Sequence, residues 1–483
     1  MTINQFDINN KELLSGIQGN ILKGHGREHT ANLFISGKEG KQKEIKKWLR
    51  SLVKGEDAII KSCYSQLRSN ALWKEKKIDS GLFACIHISN SGYKYLFEPI
   101  DIRVEKFTDE FLRKMQSVAE LNDSDFNTWD VGISDNAHFL LILADAKPEA
   151  LSRKAIDIQN EIHDFADVVA IQMGDAIKNA EGAGIEHFGY VDGISQPLFF
   201  EDEIENYRAE NNIPSTTEKK DFAFNPEAKT DLVLIKDPFI ESDNAMGSFL
   251  VFRKLEQNVE GFKDAEEELA IKLKLRGEDA ERAGAMLVGR FEDGTPVQLS
   301  DEAGLIHSAV LNNFNYDFND ESKFPYHAHI RKTNPRNDLK NSPFGVDAQP
   351  FTMARRGITY GKRKADLSDK PTKDVGLLFM SYQKSIAEQF EVIQRDWANN
   401  EDFINRKKTD KIGLDLIIGQ GESRALGAYA TDWGKPETQP FGFAKFVTMK
   451  GGGYFFAPSI EFLKNVNNSC EAQIENLCLT SNP

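Results

Sequence analysis

Cysteine is scarce: 483 residues carry four, Cys63, Cys85, Cys470 and Cys478, and none are spaced as CxxC. That spacing offers no disulfide framework and no structural zinc site, and it predicts ordinary thiols in a reducing cytoplasm. Long apolar runs are missing too. No stretch approaches the roughly 18 uncharged residues that a membrane helix needs. The opening MTINQFDINNKELLSG has neither the basic start nor the apolar run of a signal peptide, so the expectation is a cytoplasmic protein, neither exported nor membrane-bound. Positive charge is in deficit, with 60 Lys and Arg against 75 Asp and Glu, a formal −15. Such a surface repels phosphate backbones and anionic lipid, which argues against a nucleic-acid partner. What is present is core-forming material: 40% hydrophobic residues and 33 Phe exclude compositional disorder. At about 150 residues per domain, the length allows three domains or fewer.

Two distant stretches share one layout, a short apolar strand running into an amphipathic helix. In the first, residues 137–144 (AHFLLILA) read as a strand, and Leu151, Ala155, Ile158, Ile162 and Phe165 then recur on one helical face before a returning strand at 168–171. In the second, 375–382 (VGLLFMSY) is the strand, and Ile386, Phe390, Ile393 and Trp397 repeat the helical spacing. Trp397 is thereby assigned to the core rather than to a redox relay. Further strands are predicted at 31–36, 82–89 and 248–252, with a pair at 446–448 and 454–456 split by Gly451, Gly452 and Gly453. Residues 201–247 are rich in Glu, Asn, Lys and Pro. They mark the boundary between two halves, 1–215 and 216–483, and read either as a surface insertion or as an active-site lid.

Three strings carry chemistry. Residues 187–197, HFGYVDGISQP, bracket Asp192 between Gly189 and Gly193, although an Asp-Gly pair alone is commonly no more than a turn. Residues 324–336, FPYHAHIRKTNPR, hold two histidines two apart. In a strand His327 and His329 would share a side, which admits a metal pair, yet no third ligand stands at matching spacing. A haem iron needs only one imidazole. Residues 353–361, MARRGITYG, place two arginines before a glycine turn, a pattern that is ordinarily a solvated surface pair.

In this order the three strings resemble the dye-decolorizing peroxidase family, haem peroxidases with a distal Asp from GxxDG, a distal Arg, and an iron-binding His in an AHIR-type motif. IQGNILKGHG, GSFLVFRKLEQNVEGF, AGAMLVGRFEDGTPV, GLDLIIGQ and FVTMKGGGYFFAPS are similar to other stretches of that family, so the resemblance extends from Ile17 to Ser459. It implies an α+β protein with a duplicated ferredoxin-like fold, antiparallel sheets with flanking helices, GxxDG in the N-terminal half and haem in the C-terminal half. It implies Asp192 as distal acid-base, Arg355 as distal cation with only register separating it from Arg356, and His329 on the iron. Asp415 would bond the proximal imidazole, and Gly193 and Ile194 would border the cofactor. The implied cofactor is one haem b per chain. The implied partners are hydrogen peroxide and small electron donors such as dyes and phenols. A homo-oligomer, or cargo in a protein shell held through the tail NLCLTSNP, stays open.

Heterolysis of hydrogen peroxide needs a proton taken from one oxygen and delivered to the other, where negative charge develops. Asp192 fits the shuttle and Arg355 the fixed cation. A carboxylate ordinarily titrates roughly 2.6 units below an imidazole, so activity is expected to favour acid pH. Bulky donors would be oxidised through surface Tyr or Trp relays, which five Trp and eleven Tyr leave unranked. The competing readings are a haem carrier or sensor, and an enzyme acting on haem itself.

Overall fold

The computed structural model describes residues 2–467 except 56–57, 99–106, 306–311, 365, 405–411 and 422–426. Cys470, Cys478 and the NLCLTSNP tail lie outside the described residues. Apolar stretches of strand length pair edge to edge into one ten-stranded antiparallel sheet. The first unit runs β1 (His29–Gly37), α1 (Gln42–Ser51), α2 (Cys63–Lys76), β2 (Phe83–Ser89), β3 (Phe139–Asp145), α3 (Pro148–Ile162) and β4 (Ala166–Asp175). The second runs β5 (Met246–Gln257), α4 (Val259–Lys272), α5 (Glu281–Val288), α6 (His329–Thr333), β6 (Ile358–Tyr360), β7 (Gly376–Gln383), α7 (Ile386–Ala398, wound as a π-helix) and β8 (Val447–Ala457).

The strand order is β6-β7-β5-β8-β2-β3-β1-β4. Within each unit this places second, third, first and fourth strands side by side, the ferredoxin-like arrangement, so the duplicated α+β fold expected from the sequence is the one observed. The units join where β8 pairs with β2, Phe455 opposite Ser89 and Phe456 opposite Ile88. The outer edges β6 and β4 also meet: the Thr359 hydroxyl donates to the Asp175 carbonyl and accepts from the Ile177 amide at 3.3 Å.

The sheet separates two apolar cores, which is why β3, FLLILAD, is buried at every position instead of alternating. Leu151, Ala155, Ile158 and Ile162 of α3 are buried as the spacing predicted, while Phe165 lies beyond the helix end and packs from the turn. Trp397 is buried at the end of α7, stacked on Phe403 with centroids 5.0 Å apart. The glycine run corrects the sequence reading, because Gly451, Gly452 and Gly453 do not separate two strands. They lie inside β8, with a register shift between Met449 and Gly451. A Cβ on Gly452 would stand 2.5 Å from the Phe252 carbonyl oxygen, and one on Gly453 2.5 Å from the Asp135 amide nitrogen. Close approach of neighbouring backbone, rather than a turn, demands glycine there. Residues 201–247 contain a helix, Glu201–Glu210, and a small core of Tyr207, Ile213 and Phe222.

Among the described residues no helix is long and apolar enough to cross a membrane. Cys63 and Cys85 are free and buried, and burial pushes both thiols up to about 12. His87, fully buried on β2, sits 2.7 Å from the Tyr382 hydroxyl and 3.2 Å from the Leu140 carbonyl. Burial holds its pKa down at about 4. A lowered folded pKa means that the unfolded chain binds the proton more tightly, so stability is complete above pH 6.5 and is lost as pH falls toward 4. The expected loss from His87 alone is about 3 kcal/mol by pH 4, since each pH unit between the unfolded and folded pKa values costs about 1.36 kcal/mol. Urea unfolding from pH 7 to 4 should show a shallower dependence for His87→Gln; an unchanged slope would assign the acid sensitivity to other groups.

Candidate active site

A cleft beside β5, β7 and α7 encloses about 1660 Å³ of space free of protein atoms, its mouth included. Leu255, Leu377, Phe379, Phe390, Ile393 and Val447 make much of its wall apolar. His329, Asp192, Gly193, Ile194 and Arg355 all border it, brought together from separate stretches of the chain.

His329 is the first residue of α6, and its Nδ1 lies 2.9 and 3.1 Å from the two carboxylate oxygens of Asp415. Asp415 is itself buried, and its Oδ1 accepts hydrogen bonds from the Ile417 and Ile418 amides, both at 2.8 Å. Burial works against a charged His329, but the Asp415 charge and hydrogen bond outweigh it and raise the imidazole pKa. With Nδ1 engaged by the carboxylate, Nε2 is left as the lone pair available to a metal. His327 does not share that position. The chain turns into a helix at His329 instead of continuing as a strand, and His327 is buried against Tyr429, ring centroids 4.9 Å apart. Burial holds its pKa down at about 3. No cluster of three or more His, Cys, Asp or Glu suited to a metal occurs among the described residues, so nothing supports the paired-histidine metal reading.

Asp192 sits on the GYVDG loop, where Gly193 takes a φ of 86° and its amide donates to Asp192 Oδ1 at 2.6 Å. Arg355 lies on the short strand Ala354–Arg355, paired with β7. Its Nη2 donates to the Ile194 carbonyl at 2.7 Å, and its Nη1 is 3.5 Å from Asp192 Oδ1. Gln196, which sequence reasoning passed over, clasps the Arg355 backbone: its Oε1 accepts from the amide at 3.1 Å and its Nε2 donates to the carbonyl at 3.3 Å. Arg356 is engaged elsewhere. Its Nε and Nη2 donate to the carbonyls of Asn20 and Ile21 at 2.7 and 2.8 Å, within the IQGNILKGHG segment.

A family profile described as Dyp-type peroxidase, C-terminal, matches residues 219–413. The multifunctional dye peroxidase DyP2 of Amycolatopsis sp. (strain ATCC 39116 / 75iv2) is 38% identical over 94% of this chain and 96% of its own. The chain belongs to the dye-decolorizing peroxidase family. A solved Anabaena sp. DyP-type peroxidase superimposes with a TM-score of 0.86 at 35% identity, covering 96% of each chain. A dye-decolorizing peroxidase solved in complex with 2,6-dimethoxyphenol gives 0.72 at 27% identity, covering 93% of this chain and 98% of that one. Members of the family are haem enzymes that act on peroxide.

Whether haem suits this dye-decolorizing peroxidase is tested by a part of the cleft that the sequence did not single out. Arg290 and Arg336 border the cleft and both donate to Asn312 Oδ1, at 3.0 and 2.6 Å. Burial and the neighbouring Arg336 charge lower the pKa of Arg290 to about 9. Arg336 Nε is buried with no hydrogen-bond partner, and the residue holds a φ of 47° with its guanidinium 3.9 Å from the Phe314 ring centroid. An orphaned donor on buried Arg336 calls for an anion, and the propionate carboxylates of a bound haem would supply one. An apolar slot, the His329 imidazole with its Nδ1 held by Asp415, and an anion-seeking edge together fit the cofactor. Arg336 belongs to the FPYHAHIRKTNPR string, but only folding shows that it meets Arg290.

Proposed function

We propose that this chain holds one haem b in the cleft, with His329 on the iron, and uses hydrogen peroxide to oxidise dyes, phenols or similar small donors. The observation that carries the reading is the convergence of two pairs in one cleft, His329 with Asp415 and Asp192 with Arg355. When bound, haem supplies the iron that binds peroxide and takes up its oxidising equivalents. Asp192 accepts the proton from the near peroxide oxygen and returns it to the far one, while the Arg355 guanidinium stabilises the charge developing there. The Ile194 carbonyl and the Gln196 side chain keep Arg355 in place for that task. Asp415 makes His329 a stronger electron donor by drawing on its Nδ1 proton. A haem carrier or sensor would have no use for a proton-accepting carboxylate beside a fixed cation. Free, buried Cys63 and Cys85 suit a cytoplasmic location.

The test uses haem-loaded protein, hydrogen peroxide and 2,6-dimethoxyphenol. Peroxide-dependent oxidation of the phenol is expected, and Arg355→Leu should lower the rate constant for peroxide by about 10²–10³. Arg356→Leu should keep that rate constant and lower Tm, because its partners are structural carbonyls. The reverse pattern would exchange the two arginines' roles.

A further inference from the structure

Glu186 borders the cleft, yet no step above employs it. Its Oε2 accepts from the Phe188 amide at 2.8 Å and its Oε1 from the Tyr190 amide at 3.1 Å. Gln257 of β5 donates its side-chain amide to the same carboxylate. The backbone closes around this point: the Glu186 amide donates to the Tyr190 carbonyl at 3.1 Å and the Gly189 amide to the Glu186 carbonyl at 2.9 Å. Gly189 makes the turn with a φ of 104°. At the base of the loop, the Asp192 amide donates to the Gly184 carbonyl at 3.0 Å. Segment 184–192 is thus a closed loop with one carboxylate at its centre and Asp192 at its end.

We propose that Glu186 is a positioning residue for the peroxide step, its carboxylate holding the loop that presents Asp192. The inference rests on the acid-base reading of Asp192 given above. A carboxylate suits the place because both oxygens accept, one for each loop amide. Glutamine would offer one acceptor and turn an NH2 group toward an N–H donor, leaving a loop amide unpaired. The Tyr190 hydroxyl donates to Glu266, so this residue is held from its side chain as well as its backbone. Lys263 of α4 is the cation facing Glu186; it also pairs with Glu266 at 2.8 Å and Glu292 at 2.6 Å, which draws its charge away from the loop. Burial raises the Glu186 pKa to about 7, so the clamp loosens as pH falls through neutrality.

The test is hydrogen–deuterium exchange across 186–192 in the haem-loaded protein, together with the rate constant for peroxide. Glu186→Gln should exchange this segment at least tenfold faster than wild type, with the β1 to β3 peptides unchanged. Its peroxide rate constant should fall at least tenfold, with an unaltered Soret maximum and an unaltered KM for 2,6-dimethoxyphenol. Wild-type exchange or a wild-type peroxide rate in this variant overturns the proposal. Should the variant not fold, the wild-type protein answers instead: protection of 186–192, corrected for intrinsic exchange, should drop at least tenfold between pH 8 and pH 6, and pH-independent protection overturns it. Asp192→Asn separates the two readings, since it retains the clamp and should exchange like wild type. If that variant also reacts with peroxide like wild type, the acid-base reading fails while the exchange result on Glu186 still stands.

Discussion

Asp192→Asn is expected to lower the second-order rate constant for hydrogen peroxide by about 10²–10⁴-fold, the range that a positioned general acid-base contributes. Asparagine keeps the volume of the side chain and an oxygen that can accept from the Gly193 amide, as Asp192 Oδ1 does at 2.6 Å. Arg355 keeps its bond to the Ile194 carbonyl, so the cation stays in place. Only the proton acceptor is removed. Stopped-flow mixing with peroxide across pH 3 to 8 measures the effect. The variant should be slower than wild type at every pH in that range. A loss of tenfold or less would remove Asp192 from the proposed role.

His329→Ala is expected to abolish firm haem retention. The cleft then keeps its apolar walls and the Arg290 and Arg336 edge but, among the described residues, offers the iron no other imidazole, since His327 is buried against Tyr429 outside the cleft lining. Haem content after gel filtration and the Soret band report the outcome. Asp415→Ala should act in the same direction and less strongly, about 10–100-fold in affinity, because it removes the partner that fixes the imidazole proton and orientation. It also strips the Ile417 and Ile418 amides of their acceptor, so a lower Tm should accompany the change. Full haem retention with an unchanged spectrum in His329→Ala would require a different ligand.

Elements whose signal is local were legible in the sequence. The apolar strands and the spacing of Leu151, Ala155, Ile158 and Ile162 are set by residues that are neighbours in the chain, and the structure buries them accordingly. The glycines of β8 were misread because their cause is non-local: the atoms that forbid a Cβ belong to Phe252 and Asp135. The conditional pairing of His327 with His329 met the same limit. A period of two holds only within a strand, and α6 starts at His329. Asp192, His329, Arg355 and Asp415 were reached through the family resemblance, because an Asp-Gly turn or an Arg pair alone is commonplace.

Composition and periodicity by themselves determined a folded chain with two similarly built halves, and the motifs around Asp192, His329 and Arg355 determined its family. Tertiary structure alone decided which groups meet: Arg355 rather than Arg356 beside Asp192, Asp415 against His329, Arg290 with Arg336 around Asn312, and Glu186 beneath the loop that carries Asp192. The physical reason is one of range. Propensity and periodicity act between residues a few positions apart, whereas hydrogen bonds and charges act over a few ångströms of space, and only folding makes distant residues neighbours.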